Sequence, residues 1–138
     1  MKYAIAGLLA VSAVSARADL PTALMFWRAD CPPCLVEVRN AAAYIRAAGG
    51  AGRVIFVGLQ EEEPLRRAAE RYALPPETFA RADGDPETVL KAYGGSAGLP
   101  QAVIVGASGQ TCFHHEGLLG TDMLRQALKS CGETHARH

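Results

Sequence analysis

Two cysteines separated by two prolines, Cys31-Pro32-Pro33-Cys34, follow closely on the apolar run Ala23-Leu24-Met25-Phe26-Trp27. This junction constrains the chain more than any other stretch. An apolar run without alternation predicts a buried central strand, here Leu24–Trp27. Behind the cysteines, Cys34, Val38, Ala41 and Ile45 recur at helical spacing, which predicts a helix from Pro33 to Ala48, closed by Gly49-Gly50. A cysteine at a helix N-terminus and another one turn later can close a small disulfide ring. The unsatisfied N–H groups and the dipole of that helix end favour a thiolate. Proline suits the first helical position, where its missing N–H is no loss. The other reading of such a pair is half of a zinc site, which needs a second ligand pair at matching spacing. Cys112 and Cys131 are single and distant, and no zinc-type histidine pair follows the motif. The pattern favours redox chemistry and implies no metal and no cofactor.

The chain of 138 residues suits one small domain, and 49% hydrophobic residues are enough for an ordinary core. Lys plus Arg and Asp plus Glu both number 14, so no charged partner is implied. No basic cluster with interleaved aromatics points to nucleic acid. Residues 1–18 read as a secretory signal peptide: Met1-Lys2 is a short positive region, Tyr3 to Val14 an apolar stretch, and Ala16-Arg17-Ala18 a cleavage site. A membrane anchor would need a hydrophobic block of about 20 residues. Residues 19–138 form the expected domain, with no membrane insertion once the peptide is removed. Export places the cysteines where disulfides persist, so the four can form two pairs.

Further along, Val54–Leu59 reads as a second buried strand. A helix follows, with Glu61, Glu62 and Glu63 at its positive end and Leu65, Ala68, Ala69 and Tyr72 on its buried stripe. Pro75-Pro76 ends it, and Glu77–Arg81 reads as a short edge strand. Asp85 caps a short helix with Pro86 at its first position and Val89, Leu90 and Tyr93 turned inward. Ala102–Val105 and Thr111–His115 read as strands joined by a turn at Ala107-Ser108-Gly109-Gln110, and a final helix spans about Asp122 to Ser130 behind Thr121. Adjacent strand residues point to opposite faces, so His114 and His115 are poorly placed for joint metal binding.

The stretch Cys31-Pro32-Pro33-Cys34 with Glu37 resembles the active site of the periplasmic thioredoxin-like reductases of the TlpA/ResA type, which commonly read W-C-P-P-C-x-x-E. Asp30 departs from the family's tryptophan, and Val38 stands where a proline often follows the glutamate. Met25 occupies the place where cytoplasmic thioredoxins keep a buried aspartate. The resemblance covers nearly all of residues 19–138 and implies an α/β thioredoxin-like fold: a central mixed sheet flanked by helices. The stretch from Arg53 to Tyr93 is similar to the insertion these proteins carry between the two halves of the core.

Gly98-Leu99-Pro100 is the second matching motif, and the resemblance implies a cis peptide before Pro100, facing the cysteines. By the same resemblance, Trp27, Pro32, Pro33, Leu99 and Pro100 are expected to meet substrate. Cys31 is expected to be the exposed nucleophile and Cys34 the resolving thiol. Glu37 has two readings, an acid/base group for Cys34 and a solvated helix residue. Arg28 would favour a Cys31 thiolate and Asp30 would oppose it. The implied partners are a protein disulfide substrate and a membrane thiol carrier as electron donor, acting on a monomer in the periplasm, with cytochrome c maturation among the possible roles. A copper carrier and a non-catalytic binding module on the same scaffold are the rival readings.

Cys112 and Cys131 are expected to form a structural disulfide. Five residues of strand advance about 16 Å, and nine residues of helix return about 13 Å, which brings the two cysteines together. Leu124, Leu128 and Cys131 share the buried stripe of the last helix. Two free thiols are the alternative.

Overall fold

The computed structural model describes residues 20–95 and 98–136; the expected signal peptide lies outside them. Five strands form one mixed sheet in the order β3-β2-β1-β4-β5. The central strand β1 (Thr22–Trp27) runs parallel to β2 (Arg53–Gly58) and antiparallel to β4 (Gln101–Val105). The edges are the short β3 (Phe79–Arg81), parallel to β2, and β5 (Thr111–Glu116), antiparallel to β4. The sheet begins at Thr22, two residues before the stretch expected from apolarity, because Thr22 still pairs with Arg53 and Val105.

The expected helix after the cysteines is two helices, α1 (Pro32–Arg39) and α2 (Ala41–Ala48). The break is at Asn40, whose N–H is shared between the carbonyls of Val36 and Glu37. An asparagine side chain competes with helical backbone bonding, so this is a weak point in an otherwise helical run. The kink turns Tyr44 inward, to 2% exposure, while Ile45 is left half-buried.

One face of the sheet, carrying Ala23, Met25, Trp27, Phe56, Ala102 and Ile104, packs in a single core with Cys34 and Val38 of α1 and Ala41 and Tyr44 of α2. Leu124, Ala127, Leu128 and Cys131 of α5 (Thr121–Ala136) complete it. The helix α3 (Glu62–Arg71) joins the same core through Leu65 and Ala69. A Cβ on Gly58 would stand 2.4 Å from a Leu65 methyl, so the glycine at the end of β2 is what lets α3 come this close. The other face carries Phe26, Val57 and Val103, with Leu90 of α4 (Pro86–Ala92) and half-buried Val89 and Tyr93.

The stretch expected as an insertion, Arg53 to Tyr93, takes in β2, which pairs along its whole length with β1 in the central sheet, and then α3, β3 and α4. Its edge strand β3 is shorter than the sequence implies: Pro76–Thr78 form a 3-10 turn, closed by the Thr78 N–H and hydroxyl on the Pro75 carbonyl. Asp85 caps α4 by accepting from the Thr88 N–H at 3.1 Å. The final helix α5 runs past its expected end through Gly132 to Ala136.

Candidate active site

Strand β1 delivers the chain to the site, and the turn after it is held from one side. The Trp27 carbonyl accepts from the Leu59 N–H at 2.9 Å, and Gln60 Oε1 accepts from the Ala29 N–H at 2.9 Å. Cys31 then caps α1, with extended backbone and its Sγ accepting from the Cys34 N–H at 3.2 Å. The two cysteines are joined, with Cα atoms 5.2 Å apart. Cys34 is fully buried, Cys31 is half-buried, and Pro32 and Pro33 are exposed between them. The outer sulfur is therefore the one a partner can reach, and a helix N–H already points at it.

Arg28 and Asp30 neutralise each other. Arg28 Nε donates to Asp30 Oδ1 at 2.9 Å and Nη2 donates to Oδ2 at 3.1 Å, while Nη1 donates to the Leu59 carbonyl at 2.9 Å. The Arg28 hydrogen bonds hold the Asp30 carboxyl below its usual range. The opposite effects expected of these two charges on a Cys31 thiolate therefore largely offset each other.

Glu37 is 3% exposed, which removes the solvated reading. It follows Cys34 by three residues on the same inward face of α1. Its Oε1 accepts from the Tyr44 hydroxyl at 2.6 Å and its Oε2 from the Leu119 N–H at 3.1 Å. The Tyr44 oxygen in turn accepts from the Gly120 N–H at 2.8 Å. Burial, followed by the Glu37 hydrogen bond, pushes the Tyr44 hydroxyl far above its usual range, so Tyr44 stays a donor. Sequence reasoning missed Tyr44. The signal was available: residues 37 and 44 are two helical turns apart, so both lie on the face of Val38 and Ala41.

The Trp27 side chain is turned away from the surface where a substrate was expected to meet it. It is 1% exposed, and its ring stands edge-on to Phe79 with centroids 6.1 Å apart. The cause is register: side chains alternate along β1, and Trp27 falls on the core face with Ala23 and Met25. Its indole Nε1 has no partner among the described residues. Leu99 and Pro100 are joined by a cis peptide; Pro100 is buried and Leu99 half-buried. Phe26 pairs with Gln101, which brings Pro100 to the end of β1, four residues ahead of Cys31. Leu99 packs against the core that contains Cys34.

Cys112 of β5 and Cys131 of α5 are joined, with Cα atoms 5.8 Å apart. Cys131 is buried in the core and Cys112 is exposed.

No protein-family model matches the chain, and no curated protein matches it. Solved structures do. A thiol:disulfide interchange protein of the thioredoxin family from Chlorobium tepidum is 16% identical, with a TM-score of 0.66 over 86% of this chain and 83% of that one. A putative thioredoxin from Neisseria meningitidis is 20% identical, with a TM-score of 0.69 over 89% and 82%. A secreted disulfide oxidoreductase from Mycobacterium tuberculosis is 19% identical, with a TM-score of 0.56 over 84% and 85%. At these identities the likeness establishes the fold: the chain is a thioredoxin-fold protein. Its fold is the one that thiol:disulfide interchange proteins use.

Proposed function

We propose that the protein is a thiol–disulfide oxidoreductase that reduces protein disulfides through Cys31 and Cys34. The reading is carried by one observation: a cysteine pair in the first turn of α1, the outer sulfur within reach and facing the Cys34 N–H at 3.2 Å. In the reduced protein, the Cys31 thiolate attacks one sulfur of a substrate disulfide. That S–S bond breaks, a mixed disulfide forms, and the first substrate sulfur leaves as a thiolate. Cys34 then attacks Cys31 Sγ, closes the internal disulfide and releases the second substrate thiolate. Two electrons pass from the dithiol to the substrate.

Glu37 is proposed as the group that exchanges a proton with Cys34, because it sits one turn further along the same buried face. Pro32, Pro33 and Leu99 form the surface that the substrate chain meets, with the buried Pro100 behind it setting the cis turn. Pro32 and Pro33 supply no side-chain donor to hold a thiolate, which favours a reducing over a strongly oxidising pair. Cys112 and Cys131 form the structural pair. The protein acts as a periplasmic monomer after removal of residues 1–18, fed by a membrane thiol carrier, with cytochrome c maturation as one role. Among the described residues, no helix is long and apolar enough to cross a membrane.

The test is insulin reduction in the presence of dithiothreitol. Cys31→Ser abolishes the reaction, and Cys34→Ser accumulates mixed disulfides with the substrate. Full activity in Cys31→Ser would contradict the mechanism.

A further inference from the structure

We propose that Gln101 and His114 act together as positioning residues, a polar relay that fixes the Gly98–Pro100 strip beside the cysteine pair. The proposal rests on the oxidoreductase reading and assigns roles to two side chains that the mechanism above does not use. Gln101 opens β4, whose other residues are Ala102-Val103-Ile104-Val105. It is 1% exposed, a buried amide at the head of an apolar strand. Such a group is unfavourable unless it is hydrogen-bonded.

Two of its bonds run in different directions. Gln101 Nε2 donates to the Gly98 carbonyl at 2.5 Å. Gln101 Oε1 lies 2.8 Å from His114 Nε2. Because the amide nitrogen is the donor to Gly98, Oε1 is an acceptor, and His114 Nε2 carries the proton that the contact needs. Both the neutral Nε2–H ring and the charged ring meet that need. The relay therefore runs from the His114 N–H to the Gln101 carbonyl, and from the Gln101 amide to the backbone of Gly98.

The strip is held from both ends. On the far side, the Pro100 carbonyl accepts from the Gly117 N–H at 2.8 Å. Between these two bonds lies Leu99, packed against the core that contains Cys34. The relay is also crowded at Gly95. A Cβ on Gly95 would stand 2.4 Å from Gln101 Oε1 and 3.1 Å from His114 Nε2, so a side chain there would push the two partners off their present positions. The His114 side chain is itself exposed, on edge strand β5, and lies outside both core clusters. The fold needs only a strand residue at that position; the donor is what the strip needs.

A substrate chain that pairs with residues 98–100 brings its disulfide to Cys31 only if the strip is in place. Misplacement by a fraction of an ångström is expensive in such an encounter. A small disulfide that touches only Cys31 does not depend on the strip. These two probes separate positioning from general damage. The reduced forms of wild type, His114→Ala, His114→Gln and Gly95→Ala are reacted with insulin and, separately, with the small aromatic disulfide DTNB.

For His114→Ala and Gly95→Ala, the second-order rate with insulin falls about tenfold, while the rate with DTNB stays at the wild-type value. His114→Gln, which keeps an N–H donor at the same reach, restores the insulin rate. An unchanged insulin rate in His114→Ala would overturn the proposal, and so would an equal loss with both disulfides. If wild type itself fails to reduce insulin, the oxidoreductase reading fails instead. The relay is then read from the amide NMR signals of Gly98 and Leu99. Displacement by His114→Ala but not by His114→Gln supports it, and signals unmoved by His114→Ala overturn it.

Discussion

The two disulfides have the same bond and opposite surroundings. Cys31 and Cys34 are three residues apart at a helix start, with one sulfur half-exposed, a helix N–H aimed at it, and a buried carboxylate one turn further on. Cys112 and Cys131 are 19 residues apart, on different elements, and join an edge strand to the helix that closes the core. Cys112 Sγ lies 3.4 Å from the Ile104 carbonyl, an acceptor, which would oppose a thiolate there. On the proposed mechanism, the difference teaches that turnover is decided by what surrounds the sulfur. A pair at a helix N-terminus is prepared for the thiolate, whereas the distant pair acts on the chain by closing a loop.

That contrast can be broken from either side. The largest effect is expected at the distant pair. Replacing Cys112 and Cys131 together by alanine removes roughly 3 kcal/mol of stability on the chain-entropy model, read by denaturant unfolding. Insulin reduction at temperatures where the variant is folded stays at the wild-type level. Loss of activity in a folded variant would show that the two pairs are coupled.

A smaller effect is expected beside the near pair. Glu37→Gln keeps one acceptor for Tyr44 or Leu119 but cannot exchange a proton with Cys34. Reduction of insulin near neutral pH slows by roughly tenfold, and the pH–rate profile shifts. Stability falls by about 1 kcal/mol, because one buried hydrogen bond is lost. A pH–rate profile identical to wild type would leave Glu37 a purely structural acceptor for Tyr44 and Leu119.

Much of the fold was legible because it follows from strong local signals. The apolar stretches gave β1, β2 and β4 to within two residues at each end. Asp85-Pro86 marked the start of α4, whereas the cis peptide before Pro100 was expected from the family resemblance and not from a local pattern. What was not legible depends on contacts between distant residues. Asn40 is a local weak point in the helical run, but that the helix breaks there in favour of packing Tyr44 against Phe56, with ring centroids 6.5 Å apart, depends on the distant strand. The bonds from Leu119 and Gly120 to the Glu37–Tyr44 pair span 82 and 76 residues. The resemblance set Trp27 among the residues expected to meet substrate, while sheet register turns its ring into the core. His114 was read on the last strand, but Gln101, which heads β4 in the structure, lay just before the strand expected from apolarity. Their contact needs the register of β4 on β5, which no local pattern supplies.

The central claim is that Cys31–Cys34 turns over while Cys112–Cys131 remains closed. Mass spectrometry after brief treatment of the native protein with a mild reductant and an alkylating label tests it directly. The account predicts label on Cys31 and Cys34 first, with Cys112 and Cys131 still joined in one cross-linked peptide pair. Simultaneous labelling of all four cysteines in the folded protein, or labelling of Cys112 and Cys131 ahead of the motif, would contradict it.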